Sequence, residues 1–305
     1  MSLADGQGGY RVRFDWGPVG ADAVSPGAAY VAVVDVLSFT TTLTVAVEQG
    51  LHVLPYRWRD DSAVAVARLH GAMLAVLRKE AGPGQVTLSP ESILHANLRA
   101  DGIDRLVLPS PNGSAISVRL ADAGVTVIGV SLRNAAAAAA WVRERAGDRP
   151  IGVVASGERW PDGSLRPAIE DLLGAGAFLD GLAEGSSVGS GPSVGSGPSV
   201  GSVPSVGSVP SVGSVPSVGS VPSVGSVPSV GSASSSVEGF SPEAGAALWA
   251  WRGVAGGAVE ALRESVSGRE LRGFGFAGDV AVASAVGVSK VVPVLRDGWF
   301  VDGGS

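Results

Sequence analysis

Residues 29–50 read AYVAVVDVLSFTTTLTVAVEQG. The run YVAVV is continuously apolar, as a buried strand of an α/β protein must be. It breaks at Asp35 into a Ser/Thr loop and resumes as a helix that stops at Gly50. The same strand–loop–helix unit recurs in RLVLPSPNGSAISVRLADAG (105–124), turning through Pro111-Asn112-Gly113-Ser114. It returns in VTVIGVSLRNAAAAAAWVRERAG (125–147) through Ser131-Leu132-Arg133-Asn134, and in IGVVASGERWPDGSLRPAIEDLLGAGA (151–177) through Ser156-Gly157-Glu158. Four such units in order predict an α/β fold of three layers, a mostly parallel, mixed sheet with helices on both faces. A late apolar segment, KVVPVL (290–295), adds to that sheet or extends it antiparallel. In open α/β sheets ligands bind beyond the carboxyl ends of the strands, where each polar loop also feeds a helix N-terminus that favours anions.

Composition narrows the chemistry. The chain has 305 residues, 45% of them apolar, a formal charge of −6 and no cysteine. The missing thiols exclude disulfides, thiolate zinc sites and cysteine nucleophiles. An acidic chain without a basic cluster argues against nucleic acid or a membrane surface as partner. The N-terminal stretch MSLADGQGGYRVRFDWG lacks the basic and apolar regions of a signal peptide, and no apolar run approaches the ~20 residues of a membrane span. A cytoplasmic location is the expectation, and a homo-oligomer stays open. Lysine occurs only as Lys79 and Lys290, arginine supplying the other cations.

From Ser187 to Pro228 the chain repeats Ser-Val-Gly-Ser-(Gly/Val)-Pro in seven hexads. Proline and glycine in every hexad, with valine as the only apolar side chain, predict disorder rather than a β-helix. The repeat reads as an insertion, residues 187–236, in a single domain spanning 1–305. After it, Ser241 and Pro242 mark a helix start as N-cap and first helical residue.

The candidate site residues cluster in the loops. Asp35 ends a buried strand, where an unpartnered acid is costly; it is either a Mg²⁺ ligand or a cap on the next helix. Thr40, Thr41 and Thr42 offer hydroxyls and N–H groups to an anion, or serve as N-caps. Asn112-Gly113-Ser114 and Asn134 form either plain turns and caps or, through their recurrence at one sheet edge, part of an anion site. Glu170 and Asp171 open a helix, where they compensate the dipole or bind metal. Ile169, Leu172, Leu173, Gly176 and Leu179 define its apolar face, so at roughly 100° per residue the two acids fall on opposite flanks and at most one aims at a metal. Oxygen donors with retained waters suit Mg²⁺, whereas His52, His70 and His95 show no zinc-ligand spacing. His70 falls in an amphipathic helix pattern running from Ser62 to Lys79. No GxxxxGK[ST] loop is present, and Leu37 stands where an aspartyl-phosphate enzyme needs its second aspartate.

With these residues in hand the chain resembles the 2-phosphosulfolactate phosphatase family. VVDVLSFTTTL is similar to its Asp-Val-Leu-Arg-Ala-x-Thr-Thr segment, SPNGS to its Thr-Asn-Gly-Thr and SLRNAAAAA to its Leu-Asn-Ala stretch. IEDLLGAGA is similar to its Leu-Glu-Asp-x-Leu-x-Ala-Gly-Ala helix, and GDVAVASAVGVSKVVPVL to its C-terminal segment. The resemblance implies a Mg²⁺-dependent acid phosphatase converting 2-phospho-3-sulfolactate to 3-sulfolactate and phosphate, a step toward coenzyme M. It carries over Asp35, Thr41, Asn112, Gly113, Asn134, Glu170, Asp171 and Asp279, with Asp35, Glu170, Asp171 and Asp279 as the implied metal set. Two departures stand out. Ser38-Phe39 replace the family's Arg-Ala, removing a cation that would meet an anionic substrate, and Leu-Gly-Asn-Ser-Pro is reduced to TLSP. Arg133, Arg159 or Arg166 are the candidates to restore that charge.

Overall fold

Strand β2 (Tyr30–Val34) shows why the sheet needs helices on both sides. Ala32 and Val34 point into one hydrophobic cluster, while Val31 and Val33 point into another, and all four are fully buried. The computed structural model describes residues 6–58, 60–78, 80–82, 84–184 and 237–304. The Ser/Val/Gly/Pro repeat and its expected disorder lie outside these residues.

The first half of the chain runs β1 (Val12–Trp16), α1 (Gly17–Val24), β2, α2 (Phe39–Glu48), β3 (His52–Tyr56), α3 (Asp61–Leu69), β4 (Met73–Leu74) and α4 (Pro90–His95). It continues through β5 (Arg105–Pro109), α5 (Gly113–Asp122), β6 (Thr126–Val130), α6 (Ala135–Ala146) and β7 (Ile151–Ala155). A short hairpin, β8 (Glu158–Arg159) and β9 (Leu165–Arg166), precedes α7 (Ile169–Glu184). The remainder comprises α8 (Pro242–Val254), α9 (Ala258–Glu264), α10 (Val266–Gly273), α11 (Ala277–Ala283), β10 (Pro293–Arg296) and β11 (Trp299–Asp302).

Nine strands form one mixed sheet in the order β1-β7-β2-β6-β10-β11-β3-β5-β4. The expected parallel units appear as two blocks, β1-β7-β2-β6 and β3-β5-β4. The late segment does more than extend an edge: β10 and β11 form an antiparallel hairpin that joins the two blocks. Its turn is Asp297-Gly298, with φ of 50° and 83°, the positive pair that a two-residue hairpin turn requires.

Helix α2 is buried from Phe39 to Val47, touching β6, β3 and β11 as well as α4 and α5. Helix α7 is likewise enclosed, by α6, α8 and the sheet. Close approach there depends on its glycines: a Cβ on Gly176 would strike the backbone of Ala247 in α8, and one on Gly174 would meet Val34 and Val36. The expected apolar face of α7 is therefore corrected. Ile169 is 44% exposed, whereas Glu170 and Asp171 are buried at 2% and 3%. Ser241 caps α8 as expected, accepting from Ala244 N–H at 3.1 Å. The expected helix from Ser62 to Lys79 is corrected as well. It stops at Leu69, Gly71 adopts φ 59°, and Met73–Leu74 turn back to pair with Leu106–Val107.

Candidate active site

At the carboxyl end of β2 the chain must hold an acid in a buried place, and the local sequence supplies the means. Thr40 fixes the backbone of Asp35 from both sides, its Oγ accepting from Asp35 N–H at 3.0 Å and donating to Asp35 C=O at 2.8 Å. The Asp35 carboxylate accepts from Phe39 N–H at 3.2 Å and from Gly113 N–H at 2.8 Å. Four strands separate β2 from β5 in the sheet order, but α5 crosses from β5 toward β6, the neighbour of β2, and its N-terminus reaches Asp35. Only glycine fits at 113, because a Cβ there would overlap the Phe39 ring and stand 2.7 Å from Asp35 Oδ2.

Asp171 makes the matching tie on the other side. Its Oδ1 accepts from Val36 N–H at 2.7 Å and its Oδ2 from Gly157 N–H at 2.9 Å, locking the loops after β2 and β7 to α7. Burial, with the charges of Asp35 and Glu170 adding to it, pushes the Asp171 carboxyl well above the usual range, although the Val36 N–H pulls it down. Glu170 is as buried as Asp171 yet accepts no hydrogen bond from any described residue.

Glu158, in the first position of β8, completes the acidic group. Asn112 Nδ2 donates to its Oε2 at 3.1 Å. Burial, and then the charge of Asp35, raise its pKa from 4.5 to about 7, with Glu170 adding to the rise and Asn112 and Arg166 opposing it. Asp35, Glu158, Glu170 and Asp171 thus share one electrostatic neighbourhood.

Two of these acids, Asp35 and Glu158, front a cleft of about 240 Å³. Asp35, Leu37 and Ser38 line it from the β2–α2 loop, Ser110, Pro111 and Asn112 from the β5–α5 loop, and Glu158 from β8. Arg78 and Leu88 form a further wall, and Ser267, Glu270, Leu271 and Phe274 close it from α10 and the residue after it. The Arg78 guanidinium is the cation of this lining. Its Nη2 donates to Asp279 Oδ2 at 2.6 Å, to Leu88 C=O at 2.9 Å and to Ser38 Oγ at 3.3 Å. Asp279 is fully buried and also accepts from Ser89 Oγ and, at 3.3 Å, from Glu91 N–H.

Other expected residues sit elsewhere. The hydroxyls of Thr40, Thr41 and Thr42 turn back to the carbonyls of Asp35, Val36 and Ser38, as hydroxyls in a helix buried on all sides must. Ser114 donates to Leu108 C=O. Asn134 accepts from Ser131 N–H and donates to the carbonyls of Gly129 and Val291. Arg133 is paired with Glu48 at 3.0 Å. Arg159 donates to Gly163 C=O, and Arg166 pairs with Glu270 at 3.4 Å while lying over the Trp160 ring. None of these side chains lines the cleft.

Glu158 and Arg78 are the residues that sequence reasoning passed over. Glu158 stands just past a buried strand at the ligand edge, the same signal that singled out Asp35. Arg78 was hidden inside a helix pattern that the chain does not follow.

A divalent cation can be tested against these donors. No group of three or more His, Asp or Glu side chains among the described residues is arranged as a ready metal cage. Mg²⁺ does not need one, since it retains waters and takes one or two carboxylates plus phosphate oxygens. Glu170 and cleft-lining Asp35, whose charges act together on Glu158 and Asp171, have the hard-oxygen chemistry that such a cation takes. Asp279 does not join this group, its carboxylate being engaged by Arg78, Ser89 and Glu91.

A model of the family described as 2-phosphosulpholactate phosphatase matches residues 22–191, more than half of the chain. That span contains Asp35, Arg78, Asn112, Glu158, Glu170 and Asp171; Asp279 and α10 lie beyond it. No curated protein matches the chain.

Proposed function

The chain belongs to the 2-phosphosulpholactate phosphatase family, and on that premise we propose that it is a Mg²⁺-dependent phosphatase of small anionic phosphomonoesters, with 2-phospho-3-sulfolactate as the substrate the family description names. The observation that carries this reading is the pairing, in one cleft, of an acidic wall of Asp35 and Glu158 with a cationic wall at Arg78. Asp35 and Glu170 would hold the cation. When bound, Mg²⁺ would neutralise phosphoryl oxygens that an acidic wall alone would repel.

Hydrolysis forms a bond from water oxygen to phosphorus and breaks the ester oxygen–phosphorus bond. The proton that the water loses ends on the leaving oxygen or on phosphate. Glu158 suits this transfer, because a carboxyl poised near neutrality can both accept and return a proton. Asn112 orients it through Oε2, and Glu158 lines the cleft. Asp171 touches no substrate in this scheme; it fixes the two loops on which Asp35 and Glu158 stand.

The test is phosphate release from a series of small phosphorylated hydroxy acids, with Mg²⁺ and with chelator. Mg²⁺-dependent turnover that falls at least 100-fold in Glu158→Gln supports the scheme. Turnover unaffected by chelator, or by the substitution, would refute it.

A further inference from the structure

Arg78 has donors to spare. A guanidinium carries five N–H groups, and every acceptor that Arg78 meets among the described residues bonds to Nη2. Nη1 donates to none of them, and Nε is buried without an acceptor. The head group is nonetheless held in place. Asp279, itself fully buried, and Leu88 C=O anchor one nitrogen, and the Phe276 ring lies 4.8 Å from the guanidinium carbon. A side chain with 22% exposure that lines a cleft, pinned at one nitrogen and unsatisfied at the others, is built to receive an acceptor from a ligand.

The rest of the lining says which acceptor. Asp35 and Glu158 form the acidic side, where a phosphoryl group needs a cation to enter. Arg78 lines the same cleft as a cation and needs no metal to bind an anion. We propose that Arg78 is a specificity-determining residue that binds the non-reacting oxyanion of the substrate, a carboxylate or sulfonate carried by the same small molecule as the phosphoryl group. This assignment rests on the phosphatase reading for its substrate, but oxyanion binding can be measured without turnover. Ser38, within reach of Nη2, adds a neutral donor to the same place.

The test compares a phosphorylated 2-hydroxy acid with glycerol phosphate, which lacks the second acid, in the wild type, Arg78→Gln and Arg78→Lys. Calorimetric binding of sulfoacetate to the same proteins provides a readout free of chemistry. The expected result is that Arg78→Gln lowers kcat/KM for the acid-bearing ester at least 30-fold, mainly through KM. Glycerol phosphate loses at least 10-fold less than the acid-bearing ester does, and sulfoacetate affinity falls at least 10-fold. Should the glutamine variant not fold, Arg78→Lys keeps the charge beside Asp279 and carries the test, with an intermediate loss confined to the acid-bearing ester and sulfoacetate. Equal losses on both esters, or unchanged sulfoacetate affinity, would overturn the proposal. Arg78-dependent sulfoacetate binding without any hydrolysis would uphold the anion site and sink the phosphatase reading instead.

Discussion

Two adjacent acids, Glu170 and Asp171, do opposite work. Asp171 exchanges its charge for two backbone N–H bonds and so joins α7 to the loops after β2 and β7. Glu170 has no such bonds, and its carboxylate adds to the field on Glu158 and Asp171. Asp171→Asn can accept only one of the two N–H groups and turns a donor toward the other, so it should lower stability by about 2–3 kcal/mol. Activity should then fall because the loops loosen. Glu170→Gln breaks no such bond and removes a charge that acts on Glu158 and Asp171, so its melting temperature should hold or rise while the Mg²⁺ requirement of hydrolysis increases at least tenfold. Thermal melts and Mg²⁺-titrated turnover of both variants check this; equal stability losses would mean that the division is mistaken. The sequence made the inequality legible, since neighbours on a helix face different directions. Which acid plays which part depends on partners 14 and 135 residues away, and no local pattern encodes those.

At the scale of the element, what the sequence revealed depended on how many sides of it are covered. Strands β2, β5, β6 and β7 were readable because apolar runs at the ligand edge give way abruptly to polar loops. Helices α2 and α7 misled because they are enclosed, so their threonines and glycines serve packing where a half-exposed helix would use them for binding or flexibility. The threonine hydroxyls close on carbonyls one turn back, and Thr41→Val should therefore change turnover less than 2-fold at a stability cost of about 1 kcal/mol. Gly113, at the start of α5, is the opposite case. Its missing Cβ is what lets the helix terminus touch Asp35 and Phe39. Gly113→Ala should cost about 1–3 kcal/mol through overpacking and lower turnover at least 10-fold by displacing Asp35. A stable, fully active Gly113→Ala protein would show that Asp35 is not positioned from α5.

Over the whole molecule, the antiparallel hairpin β10–β11 joins two parallel blocks, and the loops at their carboxyl ends meet over one acidic site. The parallel blocks were evident in the chain, but the hairpin's place between them was not, because strand order is decided by long-range pairing. The convergence has a measurable price in the absence of a cation. Glu158 holds its proton to about pH 7 in the folded protein, against an ordinary 4.5. Between those values the folded state therefore binds more protons than the unfolded one, and stability must fall as pH rises through the window. At 1.36 kcal/mol per unit, the full change is on the order of 3 kcal/mol. Asp22, held below its usual value by Arg119, and Asp162, held low by Ser164, have the opposite sign and act only below about pH 4. In chelator, the melting temperature should thus decline from pH 5 to pH 7.5, and Glu158→Gln, which retains a carbonyl for Asn112, should reduce that slope, with the remainder coming from Asp171, whose carboxyl is raised in the same direction. Added Mg²⁺ should flatten the wild-type slope, because a cation in the same field stabilises the ionised carboxylates at the upper end. A chelated wild-type protein whose melting temperature is level across this range would show that the four acids do not share a field.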